Sequence, residues 1–119
     1  MYYNDQPADM ILYQGLAYKK LGKEKEAKSR FYRLIDYGER HLDDQVKVEY
    51  FAVSLPDFLI FNEDYTAKNK AHCYYVMALG YIGLEEKEKA DKFLKQTVSI
   101  EPSHSMAQLY VNSQIIWNN

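Results

Sequence analysis

His72 and Cys73 stand side by side near the middle of the chain, and a histidine beside a cysteine is the pairing of a thiolate nucleophile with its base. Adjacency in sequence argues against that chemistry here. Consecutive helical residues point about 100° apart, so the imidazole and the thiol diverge. A lone cysteine on an apolar stripe is a small core residue, and Cys73 is expected to be buried and inert. His41, His72 and His104 are too widely spaced to form the close ligand pairs of a zinc motif. No Gly-rich phosphate loop is present. The acids alternate with lysines, as in Glu85-Glu86-Lys87-Glu88-Lys89, which is the composition of a solvated helix face rather than of a cleft that shifts a carboxylate pKa. The expectation is therefore no catalytic residue, no metal site and no cofactor.

The bulk composition narrows the remaining classes. The chain has 119 residues, 47% of them hydrophobic and 27% charged, with a formal net charge of −2. That is one domain with enough apolar material for a packed core. It lacks the basic excess that neutralises phosphates, so no nucleic-acid partner is expected. The central apolar stretch Phe58-Leu59-Ile60-Phe61 is far short of the roughly 18–20 residues that cross a bilayer, and no membrane span is expected. The segment Met1 to Pro7 has no charged region followed by an apolar one, so it does not read as a signal peptide. Both a cytoplasmic and a periplasmic location stay open. Cys73 is the single cysteine, which excludes an internal disulfide. The 12 tyrosines fall mostly at helical spacing, and their large apolar bodies with polar tips suit half-buried positions between helices.

The chain reads as a succession of helices. The first is predicted from about Ala8 to Leu21, with Ile11, Gly15 and Tyr18 on one stripe, closed by Gly22. The second is predicted from about Lys23 to Tyr37, with Ala27, Phe31, Leu34 and Ile35 inward and Gly38 as its stop. So short a turn makes the pair antiparallel. A third helix is predicted from Asp43 through Val46, Tyr50, Phe51 and Val53, with Pro56 ending it or opening the next element. Phe58 to Phe61 is read as a helical turn rather than a strand, since nothing else offers a strand partner. Another helix is predicted from a Thr66 cap to Tyr81 or Ile82, closed by Gly83. The next runs from Glu85 to Ser99, with Ala90, Phe93, Leu94 and Val98 inward, and Pro102 follows it. Ser103 or Ser105 is expected to cap a last helix carrying Met106, Leu109, Tyr110, Ile115, Ile116 and Trp117.

A pattern is written twice along these helices. Gly15, Tyr18, Leu21, Ala27 and Phe31 recur 63 positions later as Ala78, Tyr81, Leu84, Ala90 and Leu94. Small residues at such positions let two helix backbones approach, and the large ones fill the space beside them. In its spacing of Ala71, Tyr74, Met77, Ala78, Tyr81, Ala90, Leu94 and Pro102, the second copy resembles the tetratricopeptide repeat, a unit of two antiparallel helices of about 34 residues. Ile11, Gly15, Tyr18, Gly22, Ala27 and Phe31 match it in the first copy. Copy one departs from the pattern in having Ile11 where the family prefers an aromatic, and in lacking the closing proline. The offset of 63 also exceeds one repeat.

The resemblance implies an all-α, right-handed superhelical stack of antiparallel helix pairs, about six helices in all. Residues 8–38 would be repeat one and 66–102 repeat two. Residues 39–65 would be a degenerate or inserted unit, and 103–119 a capping helix. A second resemblance, through Tyr50 to Asp57 and His72-Cys73, is to the C-terminal helical-repeat region of large bacterial proteins with a preceding domain similar to carbohydrate-active enzymes. It implies that the chain is part of a longer one.

What the family resemblance implies for function is a non-catalytic scaffold. Its first helices would line a concave groove that takes a peptide, a helix or a neighbouring domain. Carried onto this chain, that groove is Asp9, Leu12, Leu16, Lys19 and Lys20, then His72, Tyr75, Leu79 and Ile82. The Lys/Asn arrangement by which some members clamp a C-terminal carboxylate is not reproduced. The competing reading of Leu12, Leu16, Tyr75 and Leu79 is core packing against the middle segment or the final helix. Residues 39–65 carry Glu39, Asp43, Asp44, Glu49, Asp57, Glu63 and Asp64 against Arg40 and Lys47, with Phe51, Phe58, Phe61 and Tyr65 among them. That segment is read as a solvated acidic side over aromatic core, with a basic partner or a sugar face as the alternative. Two further alternatives are an accessory domain of a carbohydrate-processing protein and a weak homo-oligomer formed through Ile115, Ile116 and Trp117.

Overall fold

The computed structural model describes residues 8–43 and 55–112, and the side chains of residues 8–43 and 66–112. It is all helical over those residues: α1 (Ala8–Lys20), α2 (Glu24–His41), α3 (Leu55–Gly83), α4 (Lys87–Ile100) and α5 (Ser105–Asn112). The expected all-α helical-repeat fold is what is found. The predicted helix through Val46, Tyr50, Phe51 and Val53 lies outside the described residues, as do Ile115, Ile116 and Trp117.

Successive helices pack against their neighbours, and α1 also packs on α3. Polar contacts fix the directions. Arg30 Nε donates to Gln14 Oε1 across α1 and α2 at 3.3 Å. Asn69 Nδ2 donates to the His41 carbonyl across α3 and α2 at 2.9 Å, and Thr97 Oγ1 donates to the Ala71 carbonyl across α4 and α3 at 3.3 Å. These three pairs are antiparallel. By contrast, α1 and α3 run parallel, because Asp9 meets Tyr75 at one end and Lys19 meets Gly83 at the other. One core joins them: Ile11 and Leu12 of α1, Phe31 and Leu34 of α2, Val76 and Leu79 of α3, Leu94 of α4, and Ala107 and Tyr110 of α5.

The internal repeat is reproduced down to the backbone of its turns. Gly22 has φ +78 and Glu85, 63 positions later, has φ +62. The Lys23 amide donates to the Tyr18 carbonyl at 2.9 Å and the Gly22 amide to the Lys19 carbonyl at 3.1 Å. In the second copy the Glu86 amide donates to Tyr81 at 2.9 Å and the Glu85 amide to Ile82 at 3.0 Å. Each turn is thus a Schellman closure with one left-handed residue. Lys23 and Glu86 then open α2 and α4 with nearly equal angles, φ −95, ψ 74 and φ −96, ψ 79.

Several expectations are corrected. Helix α3 ends at Gly83 as expected, but the left-handed conformation falls to Glu85 two positions on. Gly83 is instead the floor beneath the Phe31 ring, which fills the place a Cβ would need both there and at Gly15. Gly38 does not stop α2, which continues to His41. A Cβ at Gly38 would sit 2.8 Å from the Cys73 carbonyl oxygen, and one at Gly80 would sit 2.7 Å from the Phe31 carbonyl oxygen. Glycine is therefore used inside these helices, at about 1 kcal/mol of lost propensity each, to let α2 and α3 touch backbone to backbone. Thr66 does not cap a helix, because α3 runs unbroken through it from Leu55. Pro56 sits in the first turn, where its missing amide costs nothing, and neither Gly nor Pro recurs before Gly80. Phe58 to Phe61 belongs to the same helix. Ser103 and Ser105 do not cap α5; the Ala107 amide donates to His104 Nδ1 at 3.1 Å. Leu109 is exposed, and α5 turns Ala107 and Tyr110 inward instead.

Two stability predictions follow from this packing. Gly15→Ala should cost about 1–3 kcal/mol, because the Phe31 ring cannot move aside in a close-packed core. The double variant with Phe31→Leu should cost less than the two single changes added, since the second copy pairs Ala78 with Leu94. Urea denaturation reads both, and strict additivity would contradict the notch. Glu85→Gly should stabilise the chain by a few tenths to about 1 kcal/mol by relieving the left-handed strain. A lower melting temperature would show that the exposed Lys19–Glu85 pair outweighs that strain.

Candidate functional site

The parallel pair α1 and α3 carries every residue of the predicted groove, and the structure divides them by burial. Leu12 and Leu79 are fully buried, and Tyr75 and Ile82 nearly so. All four belong to the common core and are not a lining open to a partner. Tyr75 is covered from the far end of the chain, where the His104 and Tyr110 rings lie 4.6 Å and 6.4 Å from its own. Asp9, Leu16, Lys19 and His72 are half-buried, and Lys20 is exposed. What remains at the surface is a mostly polar strip along α1, with His72 beside it.

Two bridges tie the helices together along this strip. Tyr75 donates its hydroxyl proton to Asp9 Oδ1 at 2.6 Å. Burial, and then the bonded Asp9 carboxylate, push the Tyr75 phenol far above its usual range, so it stays a neutral donor. At the other end Lys19 Nζ donates to the Gly83 carbonyl at 3.3 Å and pairs with the Glu85 carboxylate. Tyr110 is likewise pushed up, first by burial and then by Tyr13, which is hydrogen-bonded to it. His72 is held below its ordinary value of 6.5, first by burial and then by His104, with Asp9 opposing. The Tyr37 ring stands edge-on to His72 at 6.3 Å and tilted against His41 at 4.5 Å.

Cys73 is fully buried, with its thiol 3.9 Å from Asn69 Oδ1 and its backbone under Gly38 of α2. That is the environment expected of a packing residue. Among the described residues no three His, Cys, Asp or Glu side chains converge on a metal site, and no described helix is long and apolar enough to cross a membrane. Sequence reasoning missed Tyr13, Tyr37, His104 and Tyr110, which complete the aromatic and polar cluster around His72 and Tyr75. His104 carried a weak signal: it follows Pro102 by two residues and precedes the apolar start of α5, as an N-cap does.

The arrangement defines a helical-repeat protein whose units are antiparallel helix pairs with parallel first helices. The family model for the tetratricopeptide repeat matches residues 71–104. Residues 8–41, 63 positions earlier, are the extent of α1 and α2. No solved structure matches the chain. The matched family is, in general, a protein-interaction module.

The burial of His72 has a pH consequence. A histidine whose folded pKa is depressed binds its proton more readily when the chain is unfolded. Its contribution is intact above the unfolded value near 6.5 and is lost as pH falls towards the folded value. The urea midpoint should therefore fall between about pH 7 and pH 5, and His72→Gln should flatten that dependence. An equal slope in the variant would assign the effect to other groups.

Proposed function

We propose that this chain is a non-catalytic protein-interaction scaffold, and that its partner is a peptide, a helix or a neighbouring domain seated along the α1–α3 face. The observation carrying this reading is the match of residues 71–104 to the tetratricopeptide repeat, in a chain whose first helices lie parallel. The contact residues are the predicted groove positions that stay at the surface: Asp9, Leu16, Lys19, Lys20 and His72. The carboxylate of Asp9 and the amine of Lys20, which unlike that of Lys19 is not paired with Glu85, stand at opposite ends of α1. A partner segment crossing them meets acid at one end and base at the other, which favours one direction of binding.

The test separates partner contact from core. Lys20→Glu and Leu16→Ala should remove proteins retained from a lysate of the native source on the immobilised chain, while the circular dichroism stays that of the parent and melting falls only by the cost of trimming Leu16, which packs against the core. Leu79→Glu buries a carboxylate without a partner and should unfold the chain outright. Undiminished retention by the Lys20→Glu, Leu16→Ala chain, or an empty eluate from the parent, would overturn the reading.

A further inference from the structure

The internal repeat shows which face of a first helix accepts a neighbour. In the second unit Cys73, Met77 and Gly80 are buried beneath α2. A Cβ at Gly80 would lie 2.6 Å from Ile35 Cγ1, and one at Gly38 would lie 2.8 Å from the Cys73 carbonyl. The residues 63 positions earlier are Met10, Gln14 and Ala17, with Leu21 corresponding to Leu84. Spaced i, i+4, i+7 and i+11, they form one stripe of α1 and its final turn. In α1 the stripe is largely open: Met10 is 49% exposed, Leu21 is 70% exposed, and Ala17 is exposed as well. Gln14, half-buried, is held by Arg30.

We propose that this stripe is the interface of a homodimer in which α1 of one copy packs antiparallel on α1 of a second. Two observations select a second copy over another helix. First, the stripe does not fit a helix built like α2. Where α3 has Gly80 and Gly83 to receive Ile35 and Phe31, α1 has Ala17 and Lys20. Second, the stripe is self-complementary. Antiparallel pairing sets Met10 against the second copy's Leu21, and Gln14 against its Ala17. Asp9 and Lys20 lie on the same flank of the stripe, about 90–110° round the helix from it. The twofold rotation brings each to the level of the other. Two Asp9–Lys20 pairs thus form across the interface, and among the described residues neither side chain is in an ion pair. The contact shares Asp9 and Lys20 with the groove, and Ala17, which lies outside it, separates the two readings.

One 13-residue helix per copy buries less than the ~800 Å² per partner of a standard interface, so the dimer is weak and concentration-dependent. Sedimentation equilibrium of the full chain should give a mean mass that rises towards the dimer between about 10 µM and 1 mM. Ala17→Glu, at an exposed position, should weaken association at least tenfold with unchanged circular dichroism. Lys20→Glu and Asp9→Lys should each weaken it too, and an equimolar mixture of those two chains should restore it, because only the mixed pair has opposite charges at both contacts. A monomer throughout overturns the proposal and leaves the stripe to a helix of another polypeptide. A dimer that survives Ala17→Glu overturns it in favour of a different face. If Asp9→Lys fails to fold once its bond to Tyr75 is lost, Lys20→Glu decides alone: undiminished association overturns the antiparallel register.

Discussion

The fold depends on one ring in one notch. Phe31 stands on α2, yet its ring occupies the space above Gly15 of α1 and Gly83 of α3. Three helices are therefore located by a single side chain that is almost completely buried. Dispersion falls off steeply with a gap of even half an ångström, so the notch works only because both floors lack a Cβ. The second unit solves the same problem with a different pair of sizes, Ala78 and Leu94. A wider floor is matched by a slimmer plug, which is what volume conservation in a close-packed interior requires.

Glycine placement follows from this contact and from the α2–α3 approach. Gly38 and Gly80 sit inside helices, where glycine is unfavourable, Gly83 ends one, and each has a neighbouring atom in the space of the absent side chain. Only Gly22 serves a turn. With glycine committed to packing at the end of α3, the equivalent turn falls to Glu85, a residue poorly suited to φ +62. Lys19, reaching across from the first unit, bonds the last carbonyl of α3 and pairs with that same glutamate. The strained turn is thus held by the neighbouring unit.

The sequence made the repeated units legible because their periodicity and offset are carried by many residues at once. Helices α1 and α4, the apolar stripes through Ala27, Phe31, Ala90 and Leu94, and the burial of Cys73 all emerged from spacing alone. The errors cluster where one residue type has two uses. Gly38 read as a stop, because a helix terminus and a close helix approach both select glycine, and only the partner helix distinguishes them. Thr66 read as a cap because its hydroxyl suits one, although no breaker precedes it. The groove was legible as positions but not as surface. Leu12, Tyr75, Leu79 and Ile82 were placed on the correct helices, yet their burial is decided by what packs over them in the folded chain, as the His104 and Tyr110 rings do at Tyr75.

Helix α3 has a mechanical consequence. At 1.5 Å per residue its 29 residues form a rod about 44 Å long, of which the part from Ala71 onward belongs to the matched repeat. The rest is an arm continuous with it. No glycine or second proline softens the arm before Gly80, so it has no joint at which bending could be absorbed. A load on the arm near Leu55 is carried as torque into the stretch that holds α2 through Gly80 and Gly83 and the Tyr75–Asp9 bond. The fulcrum of that lever is the α2–α3 contact at Gly38 and Asn69, so strain applied far from the repeats is concentrated on the seam between them.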